Sequence, residues 1–181
     1  MSMDLNGKKI VLGLSGGVAC YKAAELCRAL VKQGARVHVA MTEAATHFIG
    51  QVTLQALSGN PVWLDQWDPR MPNNMAHIDL TRGADAVLIA PCSADFMRKL
   101  AHGACDDLLS TLCLARPHGV PLLVAPAIPA FGRVVRQGRV EGFGVATPIE
   151  IAPLLGALQR LRAAGGHQHG VARFVQRVVQ H

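Results

Sequence analysis

The chain is expected to fold as α/β: a single doubly wound parallel sheet, Rossmann-like or flavodoxin-like, with helices on both faces. Three observations predict this. Short continuous apolar runs alternate with amphipathic stretches almost without pause. The first run breaks into Ser15-Gly16-Gly17 and then into a helical stripe. Half of the residues are apolar while only 4% are aromatic, which suits aliphatic packing of helices on a sheet.

Taken in order, Lys8 to Leu14 is a strand, Ser15 to Gly17 a tight turn, and 18–32 a helix. That helix carries Val18, Ala19, Ala23, Leu26, Leu30 and Val31 on one stripe and is closed by Gly34. Ala35 to Met41 is a second buried strand. Thr42 is the N-cap of another helix opening at Glu43, and 51–58 is a further helix before Gly59-Asn60-Pro61. The segment from Asp65 to Met75 has no period and reads as a loop. Ala84 to Ala90 is a continuous apolar run of the central parallel kind, ending in Pro91-Cys92-Ser93 where a helix begins. A helix over 107–115, a strand from Val120 to Ala125, an irregular stretch to Gly144 and a helix over 149–163 complete a domain spanning 1–164. Residues 165–170 read as a flexible joint and 171–179 as a short terminal helix.

Composition narrows the functional classes. No apolar stretch approaches ~20 residues and the N-terminus shows no signal-peptide apolar region, so a soluble cytoplasmic chain is expected. The five cysteines include no C-x-x-C pair, which argues against a zinc site or disulfide framework and for reduced, mostly buried thiols. The net charge of +6 is uneven: 1–132 hold 11 Lys/Arg and 10 Asp/Glu, whereas 133–181 hold 7 Arg and 2 Glu. These arginines are spaced and lack interleaved aromatics, so a solvated face or subunit contact is expected rather than nucleic-acid binding.

The Ser-Gly-Gly turn suits an anion. Two glycines let backbone approach a ligand, Ser15 adds a hydroxyl donor, and the first amides of the next helix point unpaired into the turn. Neither the dinucleotide nor the P-loop fingerprint is met, and an ordinary strand-to-helix turn explains the same residues. In a doubly wound sheet the ligand lies beyond the carboxyl ends of the strands. Here that edge comprises Ser15–Ala19, Thr42, Pro91–Ala94 and Pro126–Pro129.

Together these segments resemble the flavoproteins related to phosphopantothenoylcysteine decarboxylase and the lantibiotic cysteine decarboxylases, over about 8–130. Ser15-Gly16-Gly17-Val18-Ala19-Cys20-Tyr21-Lys22 is similar to the family's S-G-G-I-A-A-Y-K. Met41-Thr42-Glu43-Ala44-Ala45 with Phe48 is similar to T-x-x-A-x-x-F, and Met75 to Leu80 to G-H-I-x-L. Ile89 to Asp95 resembles A-P-A-[ST]-A-[ND], and Gly103 to Thr111 resembles G-x-A-N-D-L-x-[ST]-T.

The resemblance implies bound FMN, a homo-oligomer built from trimers, and pockets near subunit interfaces. It implies cofactor contacts from Ser15, Gly16, Gly17, Val18, Ala19, Thr42, Phe48, Pro91, Cys92, Ser93, Ala94 and Ile128. Read alone, Phe48 is an ordinary core aromatic and Ser93 an ordinary helix cap. His77, following a loop rather than sitting within a helix, is the acid/base candidate, and Asp106 is the second catalytic candidate.

Three departures fall on substrate chemistry. Asp106 stands where the family pattern has Asn, Pro129 stands where it has a second Asn, and no cysteine follows Cys113 to supply the family's substrate clamp. They lead to the expectation of an FMN-dependent oxidoreductase, dihydromethanopterin reductase-like, with NAD(P)H as a possible electron donor. The alternatives are oxidative decarboxylation of a cysteinyl substrate such as phosphopantothenoylcysteine, and a non-catalytic flavin-binding subunit.

Overall fold

The computed structural model describes residues 5–70 and 75–127. Ile128, Pro129, the boundary at 164 and the expected helices over 149–163 and 171–179 lie outside them. Five strands form one sheet: β1 (Lys9–Leu14), β2 (Arg36–Met41), β3 (Val62–Trp63), β4 (Ala86–Cys92) and β5 (Leu122–Pro126). All are parallel, in the order β3-β2-β1-β4-β5. The helices are α1 (Cys20–Lys32), α2 (Glu43–Thr46), α3 (Gln51–Ser58), α4 (Ala76–Thr81), α5 (Ala94–His102) and α6 (Leu108–Ala115).

Strand periodicity creates two cores. Ile10, Leu12, Leu14, Val37, Val39 and Leu88 point to a layer with Leu26 and Leu30 of α1 and Leu54 of α3. Val11, Ala40, Val87 and Ile89 point the other way, against Leu80 of α4, Phe96 of α5 and Leu109 and Leu112 of α6. Burial on both faces is why β1 and β4 read as unbroken apolar runs. Gly13 of β1 permits an unusually close layer: a Cβ there would lie 2.5 Å from Ile89 Cδ1 and 2.6 Å from Leu109 Cδ1.

The doubly wound class is borne out, with corrections. β3 is an unexpected strand, two residues long and too short to leave a pattern. β4 continues through Pro91 and Cys92 instead of stopping at Ala90. Its register with β5 shifts between Ile89 and Cys92, the kind of irregularity where a sheet accommodates proline. The first helix starts at Cys20, leaving Val18 and Ala19 in the preceding turn.

Cys20, Cys27, Cys92 and Cys113 are buried, Cys105 is exposed, and all five are free thiols. Burial pushes Cys92 and Cys113 up to about 12, so both remain protonated at neutral pH. Among the described residues, no helix is long and apolar enough to cross a membrane.

Candidate functional site

The strand order reverses between β1 and β4, so the loops leaving these two strands flank the switch-point crevice of the sheet. The Ser15 amide donates to the Pro91 carbonyl at 3.1 Å. The Ser15 hydroxyl donates to the same carbonyl at 2.8 Å and accepts the Ser93 amide at 2.7 Å. Ser15 is 1% exposed. The expectation of a hydroxyl donor free for a ligand is therefore corrected, because its single proton is committed inside the protein.

Beyond Ser15 the turn opens. Among the described residues, the amides of Gly16, Gly17, Val18 and Ala19 have no backbone acceptor. The N-cap of α1, Ala19, supplies no side-chain hydrogen bond. A 13-residue helix thus directs the positive end of its dipole and several unpaired donors into one turn. Val18, 72% exposed, stands at its rim.

The two glycines differ. A Cβ at Gly16 would lie 2.7 Å from Ala44 Cβ and 3.1 Å from the Ala44 backbone, so Gly16 lets α2 close against the turn. That corrects the expectation that its missing side chain clears a ligand's path. A Cβ at Gly17 would meet nothing within 4 Å.

Thr42 is the N-cap that the sequence predicts. Its Oγ1 caps α2 by accepting the Ala45 amide at 3.3 Å, and its own amide bonds the Leu14 carbonyl at 2.9 Å. Its hydroxyl proton has no acceptor among the described residues, leaving a donor beside the turn. Phe48 is 50% exposed just beyond α2, which overturns its reading as a plain core aromatic.

Across the crevice, Cys92 sends its side chain into the second core, so only its backbone faces the site. The Cys92 carbonyl accepts the Ala127 amide at 2.9 Å, tying the end of β5 to this edge. Ser93 is the N-cap of α5 through an Oγ that accepts the Phe96 amide at 3.2 Å. Ala94 is exposed in the first turn of that helix.

His77 is the second residue of α4, not a loop residue. The helix has only six residues and gives too little period to be read from sequence. His77 Nδ1 is buried with no hydrogen-bond partner among the described residues. A buried ring nitrogen in that state favours a partner.

Asp106 is exposed at the approach to α6. Lys99 Nζ lies 3.0 Å from its Oδ2 and 2.7 Å from Asp107 Oδ2. The hydrogen bond from Lys99 is the largest influence holding the Asp106 carboxyl below its ordinary range. Asp106 is thus an ionised, paired carboxylate, unsuited to donating a proton near neutrality. Lys99, a member of this cluster, escaped sequence reasoning because its partners lie one helix end away.

Three proteins similar to this chain bear on its chemistry. The coenzyme A biosynthesis bifunctional protein CoaBC of Haemophilus influenzae is 50% identical over 126 residues, 70% of this chain and 31% of that protein. The chain therefore spans less than a third of that relative. A probable phosphopantothenoylcysteine decarboxylase of Streptococcus mutans is 46% identical over 121 residues, 67% of this chain and 68% of that protein. The crystal structure of the FMN-dependent cysteine decarboxylase SpaF matches with a TM-score of 0.67 at 25% identity, covering 84% of this chain and 96% of that one.

These relatives overturn the expectation of a dihydropterin reductase. Two of the three carry decarboxylase names and none is named a reductase. The nicotinamide donor attached to that expectation finds no support in them. Residues 1–133 match the Flavoprotein family, and the chain belongs to it.

Proposed function

We propose that this chain is an FMN-dependent decarboxylase of a cysteinyl substrate, of the phosphopantothenoylcysteine type. The observation that carries the reading is its 46% identity to the Streptococcus mutans decarboxylase across two thirds of both chains. The geometry fits FMN: the open amides of Gly16 to Ala19 and the Thr42 hydroxyl proton suit a phosphate, and the exposed first turn of α5 at Ala94 suits the edge of a planar ring. When bound, FMN supplies the two-electron acceptor that oxidative decarboxylation requires.

The protein's own share is binding, orientation and proton handling. Val18 and Phe48 present apolar surface at the mouth of the turn and shield a bound ring from water. His77 is the group to hold or move a proton, through the buried Nδ1 that lacks a partner. Asp106, kept ionised by Lys99, does not compete for that role.

The apolar rim also suits a subunit contact. Val18, Tyr21, Phe48 and Val52 are all exposed on the α1–α3 side of the fold, an apolar surface that neighbouring copies would cover in the trimer-based assembly, with FMN near the interfaces, that belongs to this proposal. Five unpaired thiols suit the cytoplasm.

The test is carbon dioxide release from phosphopantothenoylcysteine by the purified, FMN-loaded chain. Release that depends on FMN is expected, and His77→Asn is expected to lower its rate by about a hundredfold while FMN stays bound. Retention of FMN with no release from this or another cysteinyl substrate would overturn the proposal in favour of a flavin-binding subunit. The Asn-to-Asp difference at Asp106 and Pro129 are the observations that favour that second reading.

A further inference from the structure

We infer that Ser15 is a positioning residue that clamps the two halves of the flavin cradle together and is not a ligand to the cofactor phosphate. The inference rests on the flavin-binding part of the proposal above and is independent of the decarboxylation. Three hydrogen bonds join this one residue to the other side of the crevice. Its amide and hydroxyl both reach the Pro91 carbonyl, at 3.1 and 2.8 Å, and its Oγ accepts the Ser93 amide at 2.7 Å. Its own carbonyl accepts the Cys20 thiol at 3.3 Å, which ties the same residue to the first turn of α1. Burial keeps that thiol protonated and able to donate, its pKa being pushed up to about 11.

The arrangement has a definite logic. Ser15 links segments 76 and 78 residues apart in the chain. On one side stand the open amides leading into α1, on the other the Ser93 cap of α5. A ligand whose phosphate meets the first and whose ring meets the second needs both at a fixed separation. The hydroxyl has one proton, and contact with a phosphate oxygen would take it from Pro91. Removing the hydroxyl leaves the part-buried Ser93 amide without its acceptor and the Ser15 amide as the remaining tie to Pro91, so the two halves of the cradle loosen together.

The experiment compares dissociation constants for FMN and for riboflavin, which lacks the phosphate, in the full-length wild type, Ser15→Ala and Thr42→Val. Ser15→Ala is expected to weaken both flavins by the same factor, about tenfold. Thr42→Val loses the uncommitted hydroxyl proton beside the turn along with the Oγ1 cap of α2, and should weaken FMN alone. Ser15→Ala weakening FMN while sparing riboflavin would overturn the inference by making Ser15 a phosphate ligand. No loss for either flavin would overturn it as well.

Amide exchange in the flavin-free protein gives a second readout. In Ser15→Ala the Ser93 amide should exchange faster while the core amides of Val11 and Leu88 keep their protection. Unchanged exchange at Ser93, or faster exchange throughout the sheet, would rule out a local clamp. If the alanine variant does not fold, Ser15→Cys, of similar size and with a weaker donor, is measured the same way and should lose both flavins in parallel. A wild type that binds neither flavin would sink the flavin reading, while the exchange data would still decide whether Ser15 holds the two loops.

Discussion

The N-termini of α1 and α6 are opposite solutions to one problem, the unpaired donors at the start of a helix. At α6 the end is sealed: Asp107 Oδ1 accepts the Ser110 amide at 2.7 Å, and Ser110 Oγ returns the bond to the Asp107 amide at 3.2 Å. Lys99 then neutralises much of the carboxylate charge there. At α1 no side chain caps the end, and the preceding amides of Gly16 to Ala19 stay open. The ends of α3 and α4 also lack a side-chain cap, so what sets the α1 end apart is its run of four open amides at the switch-point crevice, whereas the capped α6 end is complete in itself.

The sharpest way to break this contrast is to close the open end by force. Gly16→Val places a branched side chain where even a Cβ would lie 2.7 Å from Ala44. We expect a loss of about 2–3 kcal/mol in denaturant unfolding together with loss of flavin. A variant that unfolds like the wild type would mean that α2 does not press on the turn as described.

Opening the sealed end should cost less. Asp107→Ala removes the cap of α6 and one partner of Lys99, and a decrease of about 1–2 kcal/mol in stability is expected. Because the α1 turn is untouched, FMN affinity should hold; a parallel loss would show that the two helix ends are coupled.

Asp106→Asn sharpens the comparison electrostatically by removing one of the two carboxylates around Lys99. It also restores the amide of the decarboxylase pattern, and carbon dioxide release should rise by about tenfold. The carboxyl of Asp106 is lowered from its ordinary 3.8 in the folded protein. Its pairing therefore stabilises the fold fully above pH 3.8 and loses that effect as pH falls through the lower folded value. Acid titration of the two proteins should show their stability difference shrinking in that window, and a constant difference would mean the ion pair contributes nothing.

The smallest effect on folding belongs to Gly17→Ala, since its Cβ enters open space. A stability change within about 0.5 kcal/mol is expected. Flavin should nevertheless bind several-fold more weakly, because that space lies beside the open amides. Unchanged affinity would remove Gly17 from the cradle.

What the sequence disclosed follows from the range of each interaction. The apolar runs of β1 and β4 and the stripe of α1 record burial residue by residue, so the sheet, its winding and the turn after β1 were readable. Thr42 and Ser93 were readable as caps because a cap acts three residues along the chain. Ser15 was not, since its partners lie 76 and 78 residues away and local pattern cannot show that its hydroxyl is engaged. Gly16 was misjudged for the same reason: its neighbour is Ala44, across the sheet edge. The two missed elements, β3 and α4, are too short to carry a period, and α4 is held instead by packing on α6. The function was not legible because two substitutions, at Asp106 and Pro129, and an absent cysteine stand out locally, whereas the relation to the decarboxylases is spread over the remaining frame.

Gly13 gives the core a mechanical hold on the site. With no side chain between β1 and Leu109, α6 rests directly on the sheet, and the hydrogen atoms of one residue set the thickness of that layer. A methyl group there would act as a shim, lifting the helix from its bed and tilting the loop that carries Lys99's two partners. The height of that charge cluster above the sheet is thus gauged by a missing side chain near the carboxyl end of β1.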